Sequence, residues 1–275
     1  MDPTSLRLIA FFLILLLMMA AELLAPRRVL RFGRKRWPAN LGIVVIDVLT
    51  MRLLLPGGAI AAALWADSHG FGLFNLLAWS ASMEVIAAVI LLDLIIYGQH
   101  VLFHAVPILW RLHMVHHADR DIDVTTGLRF HPVEIFISML IKISVVALLG
   151  IPVPAVVVFE VVLNGMAMFN HANVQLPKRL DRLLRLLVIT PDVHRIHHSI
   201  MKSETNSNYG FNLSVWDRLF GTWREQPKHG HNGMTIGLEH LQTAPTHQLG
   251  FMLRLPFGGD IGQYPILKHR KNQRR

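Results

Sequence analysis

Long apolar runs, rather than amphipathic alternation, dominate the first hundred positions. Residues 5–25, 41–65 and 73–97 each hold such a run, as long as the roughly 20 residues a helix needs to cross a bilayer. A fourth apolar region, 134–170, is too long for one helix and is interrupted by Ile151-Pro152-Val153-Pro154. Proline removes a backbone donor and restricts the residue before it, so the chain is expected to turn there. Each half then has about 16–18 residues, near the lower limit for a span. The pattern predicts an all-α integral-membrane bundle of three full spans and a short helical hairpin that enters and returns to one side. A helical cap on the cytoplasmic side completes it.

Composition agrees: 52% of residues are hydrophobic and only 16% charged. The first run lacks a basic leading segment and a small-x-small site, so it reads as a span and not a cleaved signal peptide. The loop after it carries Arg27, Arg28, Arg31, Arg34, Lys35 and Arg36, which by the positive-inside bias faces the cytoplasm. Counting spans from there puts the N-terminus and loop 66–72 outside and the ends of the third span and of the hairpin inside. The net charge of +9 comes from this loop, the arginines of 179–185 and the tail His269–Arg275. Anionic headgroups account for such charge in a membrane chain, so nucleic acid is not the expected partner. With no cysteine, disulfides and thiolate metal sites are excluded, in keeping with a cytoplasmic catalytic face. Three regions are expected: membrane helices over 1–99, a chemistry-bearing region over 100–225, and a C-terminal cytoplasmic tail over 226–275.

Histidine carries the chemistry. Eight of the sixteen histidines form three boxes, His100-x₃-His104, His113-x₂-His116-His117 and His194-x₂-His197-His198, and His171 stands between the last two. Imidazole is a neutral, strong ligand for Fe, Cu, Zn or Ni, and helical neighbours three or four apart share a face. Nine rings exceed the four to six positions around one transition ion, which suggests two metals. The adjacent histidines of a box point about 100° apart, so one box can serve both.

Asp93 lies on the stripe of Tyr97, His100 and His104, and is expected either to orient an imidazole or to make an interhelical hydrogen bond. His171 reads as a ligand or as a helix C-terminal group. His131, before a proline, reads as an outer group of the site or as a helix cap. No H-E-x-x-H, Glu-x-x-His pair, G-x-G-x-x-G or P-loop is present, which argues against zincin proteases, carboxylate-bridged di-metal bundles and those nucleotide-binding routes.

The order H-x₃-H, H-x₂-H-H, lone His, H-x₂-H-H resembles the fatty acid hydroxylase/sterol desaturase superfamily, its bacterial members especially. So do the strings His131-Pro132-Val133-Glu134, Asn170-His171-Ala172-Asn173, Asn206-Ser207-Asn208-Tyr209-Gly210 and Asn212–Thr222. The likeness covers roughly residues 85–225. It implies a non-haem di-iron enzyme of the bacterial inner membrane that uses O₂ to attack a C–H bond of a lipid or sterol-like substrate. The same nine histidines would hold two Fe ions, with electrons from a separate donor protein. Asn206, Asn208 and Tyr209 would touch the site or substrate, or simply form a packed turn; Trp216, Asp217 and Phe220 are expected to pack the cap. Imidazoles alone do not select iron over zinc. An ether-lipid (alkylglycerol-type) monooxygenase is the close alternative, and a histidine-rich metal transporter or sensor the alternative from another class. A transporter would place its ligands at mid-membrane, whereas these boxes follow the spans. A zinc hydrolase would need a carboxylate base at close spacing, which no box supplies.

Overall fold

The computed structural model describes residues 2–267, and the basic tail expected at His269–Arg275 lies outside them. Among the described residues the architecture is all-helical, with only isolated bridges such as Pro26–Val174 and Val188–Leu213 in place of strands. Helix α1, Pro3–Leu24, starts at Asp2, whose carboxylate accepts the N–H groups of Thr4 and Ser5 at 3.0 Å. Its outer face bares Leu6, Ile9, Phe12, Leu13, Leu16 and Leu17. So large an apolar strip suits lipid and not water. Its inner face, with Ile14, Leu15 and Met18, packs on Val124, Leu128 and Met168.

The second apolar run is not one straight rod. It divides into α2, Trp37–Leu54, and α3, Gly58–Ser68. Pro56 disfavours the helical region for Leu55, and Gly57 takes a left-handed φ of 82° that a side chain would resist. Both halves pack on α6, Pro132–Leu149. The third run begins later than its hydrophobicity suggests, because Ser80 caps α4, Ala81–Ala105, by accepting the Met83 N–H at 3.4 Å. In exchange α4 continues past residue 97 and carries His100 and His104 in its last two turns.

Helix α6 and helix α7, Val153–His171, form the expected hairpin, turning at Gly150 in a left-handed φ of 67°. A Cβ on Gly72 would sit 2.2 Å from the Gly150 nitrogen. The hairpin tip therefore meets the loop between α3 and α4. The arms splay around α3, which packs on both. Glu160 of α7 binds Lys142 of α6 at 3.0 Å and Arg7 of α1 at 2.9 Å. Among the described residues, five segments are long and apolar enough to cross a membrane: α1, the α2–α3 segment, α4, α6 and α7.

The cap is built on α5, Pro107–His117, which turns off α4 at Val106. Helices α8, Lys178–Leu184, and α9, Pro191–His197, follow. Residues beyond 226 do more than trail away. Leu238, Leu241, Met252, Leu255 and Tyr264 close a core over Trp110, Met114, Val115, Ala39 and Ile43. The Trp110 indole, fully buried, donates to the Ile261 carbonyl at 2.9 Å. These apolar residues are too scattered in the sequence to show a period, yet they gather in one core with residues of α5 and α2.

Candidate metal centre

The eight box histidines and His171 converge. One group comprises His100, His104, His113, His117 and His197, and the other His116, His171, His194 and His198; within each, the candidate ligand atoms lie within 4.8 Å of one another. Every one of these residues is buried. The second box sends His113 and His117 to the first group and His116 to the second; the third box sends His197 to the first and His194 and His198 to the second. The second and third boxes thus contribute to both groups, because rings one turn apart share a direction while adjacent rings diverge, whereas the first box gives both its rings to the five-histidine group.

The fold fixes which nitrogen faces inward. His100 Nδ1 donates to the Tyr209 carbonyl at 2.8 Å, His197 Nδ1 to that of Ser207 at 2.7 Å, and His104 Nδ1 lies 3.2 Å from Asn206 Oδ1. One turn, residues 206–209, therefore orients three rings of the five-histidine group. In the other group, His116 Nδ1 donates to the Arg129 carbonyl at 3.2 Å and His171 Nδ1 to that of Ala167 at 2.7 Å. His113 Nδ1 instead meets Glu134 Oε1 at 2.6 Å. A ring that donates from Nδ1 turns a lone pair inward at Nε2.

Those lone pairs test whether a metal fits. His171 Nε2 lies 3.0 Å from His116 Nε2 and 3.0 Å from His194 Nε2. The His116–His171 pair sets two lone pairs against each other, which repel unless a cation lies between. Two nitrogens at right angles on a metal, with bonds of about 2.1 Å, stand about 3.0 Å apart. Protons do not take the cation's part. Burial holds His113 down to about 3, and burial with neighbouring imidazoles holds His116, His117, His194, His197 and His198 well below the usual imidazole value. Nine buried nitrogens in these rings have no protein partner, among them Nε2 of His100, His104, His113 and His197 and both nitrogens of His117 and His198. At about 1–3 kcal/mol for each unmet buried group, they would cost roughly 10–25 kcal/mol, against a net stability of about 5–15 kcal/mol for a typical protein. The donor set fits two transition metals.

The other residues singled out in the sequence divide. Asn206 touches a ring of the cluster. Asn208 does not: in a left-handed φ of 53° its amide bonds the carbonyls of Val193 and Arg224 and the Arg224 N–H. Asp93 reaches the cap instead of an imidazole, accepting from the Asn212 and Leu213 N–H groups and from the Trp216 indole at 2.8–3.3 Å. His131 stands outside both groups and caps α6, accepting the Val133 N–H at 3.2 Å while Nε2 lies 3.2 Å from the Leu253 carbonyl. Asp217 holds the 206–209 turn through the Tyr209 and Gly210 N–H groups.

Two supports were not read from the sequence. Glu134 behind His113 is one; its signal was a lone acid in the first turn of an apolar helix. The other is a buried charge cluster in which Arg36 binds Asp119, Asp121 and Asp123. Its signal was the triplet of aspartates at alternate positions directly after the second box.

A profile of the fatty acid hydroxylase family matches residues 85–222, which contain all nine rings. An ornithine lipid hydroxylase of Rhizobium tropici is 34% identical over 154 residues, 54% of this chain and 44% of that protein. Human alkylglycerol monooxygenase is 31% identical over 170 residues, 61% of this chain and 36% of its own length. A cholesterol 25-hydroxylase of Rattus norvegicus is 26% identical over 145 residues, 52% of this chain and 48% of the enzyme. The chain thus aligns with less than half the length of each of these relatives. No solved structure matches it.

Proposed function

Because this chain belongs to the fatty acid hydroxylase family, we propose that it is a membrane-bound, O₂-dependent di-iron oxygenase that hydroxylates a C–H bond of a lipid. The observation that carries this reading is the convergence of nine buried imidazoles into two groups, with lone pairs facing at 3.0 Å. His100, His104, His113, His117 and His197 would hold one iron, and His116, His171, His194 and His198 the other. When bound, the iron pair supplies the oxidising power that an unactivated C–H bond requires.

The chain's own part is orientation and exclusion of water. Carbonyls of Tyr209, Ser207, Arg129 and Ala167 pin four rings by Nδ1. Phe130 stacks on His116 with ring centroids 4.4 Å apart, and Trp110 lies against His104 at 4.9 Å. Such walls keep competing water from the oxidant. The ends of α4 and α7 deliver three rings at the margin of the apolar bundle, so a lipid entering sideways keeps its headgroup at the membrane surface. Hydroxylation balances as the substrate C–H, O₂, two electrons and two protons giving an alcohol and water. We assign the electrons to a separate donor protein and the site to the cytoplasmic face of a bacterial inner membrane, as the basic loop 27–36 favours.

The test compares the lipids of cells with and without the gene, together with iron content of the purified protein. A lipid heavier by one oxygen, formed only with O₂, and about two irons per chain are expected. Turnover without O₂, or equal turnover with zinc alone, refutes the oxygenase; loss of two hydrogens in place of oxygen gain makes it a desaturase. The likeness to alkylglycerol monooxygenase favours a second reading, hydroxylation beside an ether oxygen. That product collapses to an aldehyde and a free alcohol, and aldehyde release distinguishes it. A reporter fused after residue 275 is expected on the cytoplasmic side, and periplasmic labelling refutes the orientation.

A further inference from the structure

Of the six rings anchored through Nδ1, five meet a neutral oxygen: four backbone carbonyls and the Asn206 amide. The sixth, His113, meets a carboxylate. Glu134 Oε1 lies 2.6 Å from its Nδ1, and Glu134 and His113 are only 4% and 3% exposed. The His113 ring is flanked by Phe103 and Phe130, at 6.0 and 6.3 Å, and its Nε2 turns into the five-histidine group without a protein partner. Glu134 is the third residue of α6, where the positive end of the helix dipole stabilises an anion. His131 already serves as the cap of that helix through the Val133 N–H, so Glu134 is free to serve the ring.

A carboxylate accepting from Nδ1 does three things a carbonyl does less well. It makes a stronger, charge-assisted bond. It fixes the ring as the tautomer with a lone pair at Nε2, and it raises the basicity of that nitrogen toward a metal. We infer that Glu134 is a positioning residue, acting through His113 to strengthen metal binding in the five-histidine group, which makes the two metal positions unequal. This rests on the reading that the nine histidines hold two metals.

The experiment titrates the purified, detergent-solubilised full chain with Co(II) against a competing chelator, following the cobalt absorption bands. Wild type is expected to take two equivalents. Glu134→Gln, which keeps the shape and an accepting oxygen but removes the charge, is expected to bind one of them about 10–100-fold more weakly and to shift its bands. His131→Ala disturbs the start of the same helix without touching a ring, and is expected to bind like wild type. Equal, tight binding of both equivalents by Glu134→Gln overturns the inference. So does an identical loss in His131→Ala, since Glu134 would then matter only for folding of α6. If Glu134→Gln fails to insert, Glu134→Ala with added formate replaces it: recovery of the weakened equivalent supports the role, and formate without effect overturns it. Wild type that binds no cobalt refutes the metal reading itself.

Discussion

Replacing Arg36 should destabilise the cap more than any other change in the basic loop. Its guanidinium is 1% exposed and bonded to Asp119 and Asp123, with Asp121 at 3.4 Å and Thr126 Oγ1 at 3.3 Å. Burial pushes the Asp119 carboxylate up, but Arg36 and then Arg129 hold it below the usual range, so it is charged and depends on them. Arg36→Met leaves Asp119 and Asp123 buried without their main partner. Breaking one buried pair costs about 3–5 kcal/mol; Arg129 still faces Asp119, and Asp121 keeps the N–H groups of Arg31, Phe32 and Gly33, which points to the low end. At about 2–4 °C per kcal/mol, the melting temperature in detergent should fall by roughly 6–12 °C. The cluster continues through Thr126 and Arg129, whose carbonyl orients His116, so bound metal should fall as well. Arg36→Lys restores one charge without the fork and should lose about half as much. Adding Asp119→Asn and Asp123→Asn to Arg36→Met should recover most of the loss. Arg36→Met that melts within about 2 °C of wild type, or a triple variant no more stable than the single one, refutes the reasoning.

Three further outcomes follow from the same contacts. Gly127→Ala would place a Cβ 2.4 Å from the Ala167 carbonyl oxygen and 3.1 Å from His171 Nδ1; it should displace His171 and lose one of two metal equivalents, and a variant that keeps both by elemental analysis contradicts this. Asp93→Asn turns an N–H donor toward the three donors that Asp93 accepts, and should lower stability by about 1–3 kcal/mol, read as an earlier denaturant midpoint; an unchanged midpoint contradicts it. Acid should destabilise the metal-free protein. His113 titrates at about 3 and five neighbours lie well below the usual value when folded, whereas unfolded imidazole titrates near 6.5. The unfolded chain then binds more protons below about pH 6.5, so stability is full above that pH and falls with acidification, by roughly 1.4 kcal/mol per pH unit for each ring concerned. Denaturant unfolding at pH 7.5 and 5.5 with chelator present checks it, and equal stabilities refute it.

The apolar runs and the histidine spacing were legible because each is a local signal. A run of 20 apolar residues has few structural solutions, and rings one turn apart on a helix share a direction wherever that helix lies. What stayed hidden depends on distance in the chain. Arg36 read as one of six basic residues at a membrane surface, yet it pairs with acids more than 80 positions away. Asp93, on the histidine stripe, reads equally well as a partner for a ring or for the cap, and only the position of residues 212–216 decides between them. His131 and Glu134 stand three apart in one helix turn: the imidazole caps the helix and the carboxylate meets the ring. The break in the second apolar run was written in Leu55-Pro56-Gly57, but hydrophobicity runs straight across it.

The placement of the nine rings explains why metal and fold belong together here. His100, His104 and His171 sit in the last turns of α4 and α7. The other six lie on α5, on α9 and at its C-cap. Helix α9 has seven residues, of which Val193 and Ile196 are its only large aliphatic side chains, too few to anchor it by apolar burial at about 1.5–3 kcal/mol each. Its two histidines and the C-cap His198 face α4, α5 and α7 instead. Two metals would therefore tie the cap to the two apolar helices α4 and α7, and would satisfy the unpartnered nitrogens that otherwise oppose folding. On this account the cap helices should be the part of the chain whose stability depends most on metal, with the apolar bundle of α1, α3, α6 and α7 largely indifferent to it.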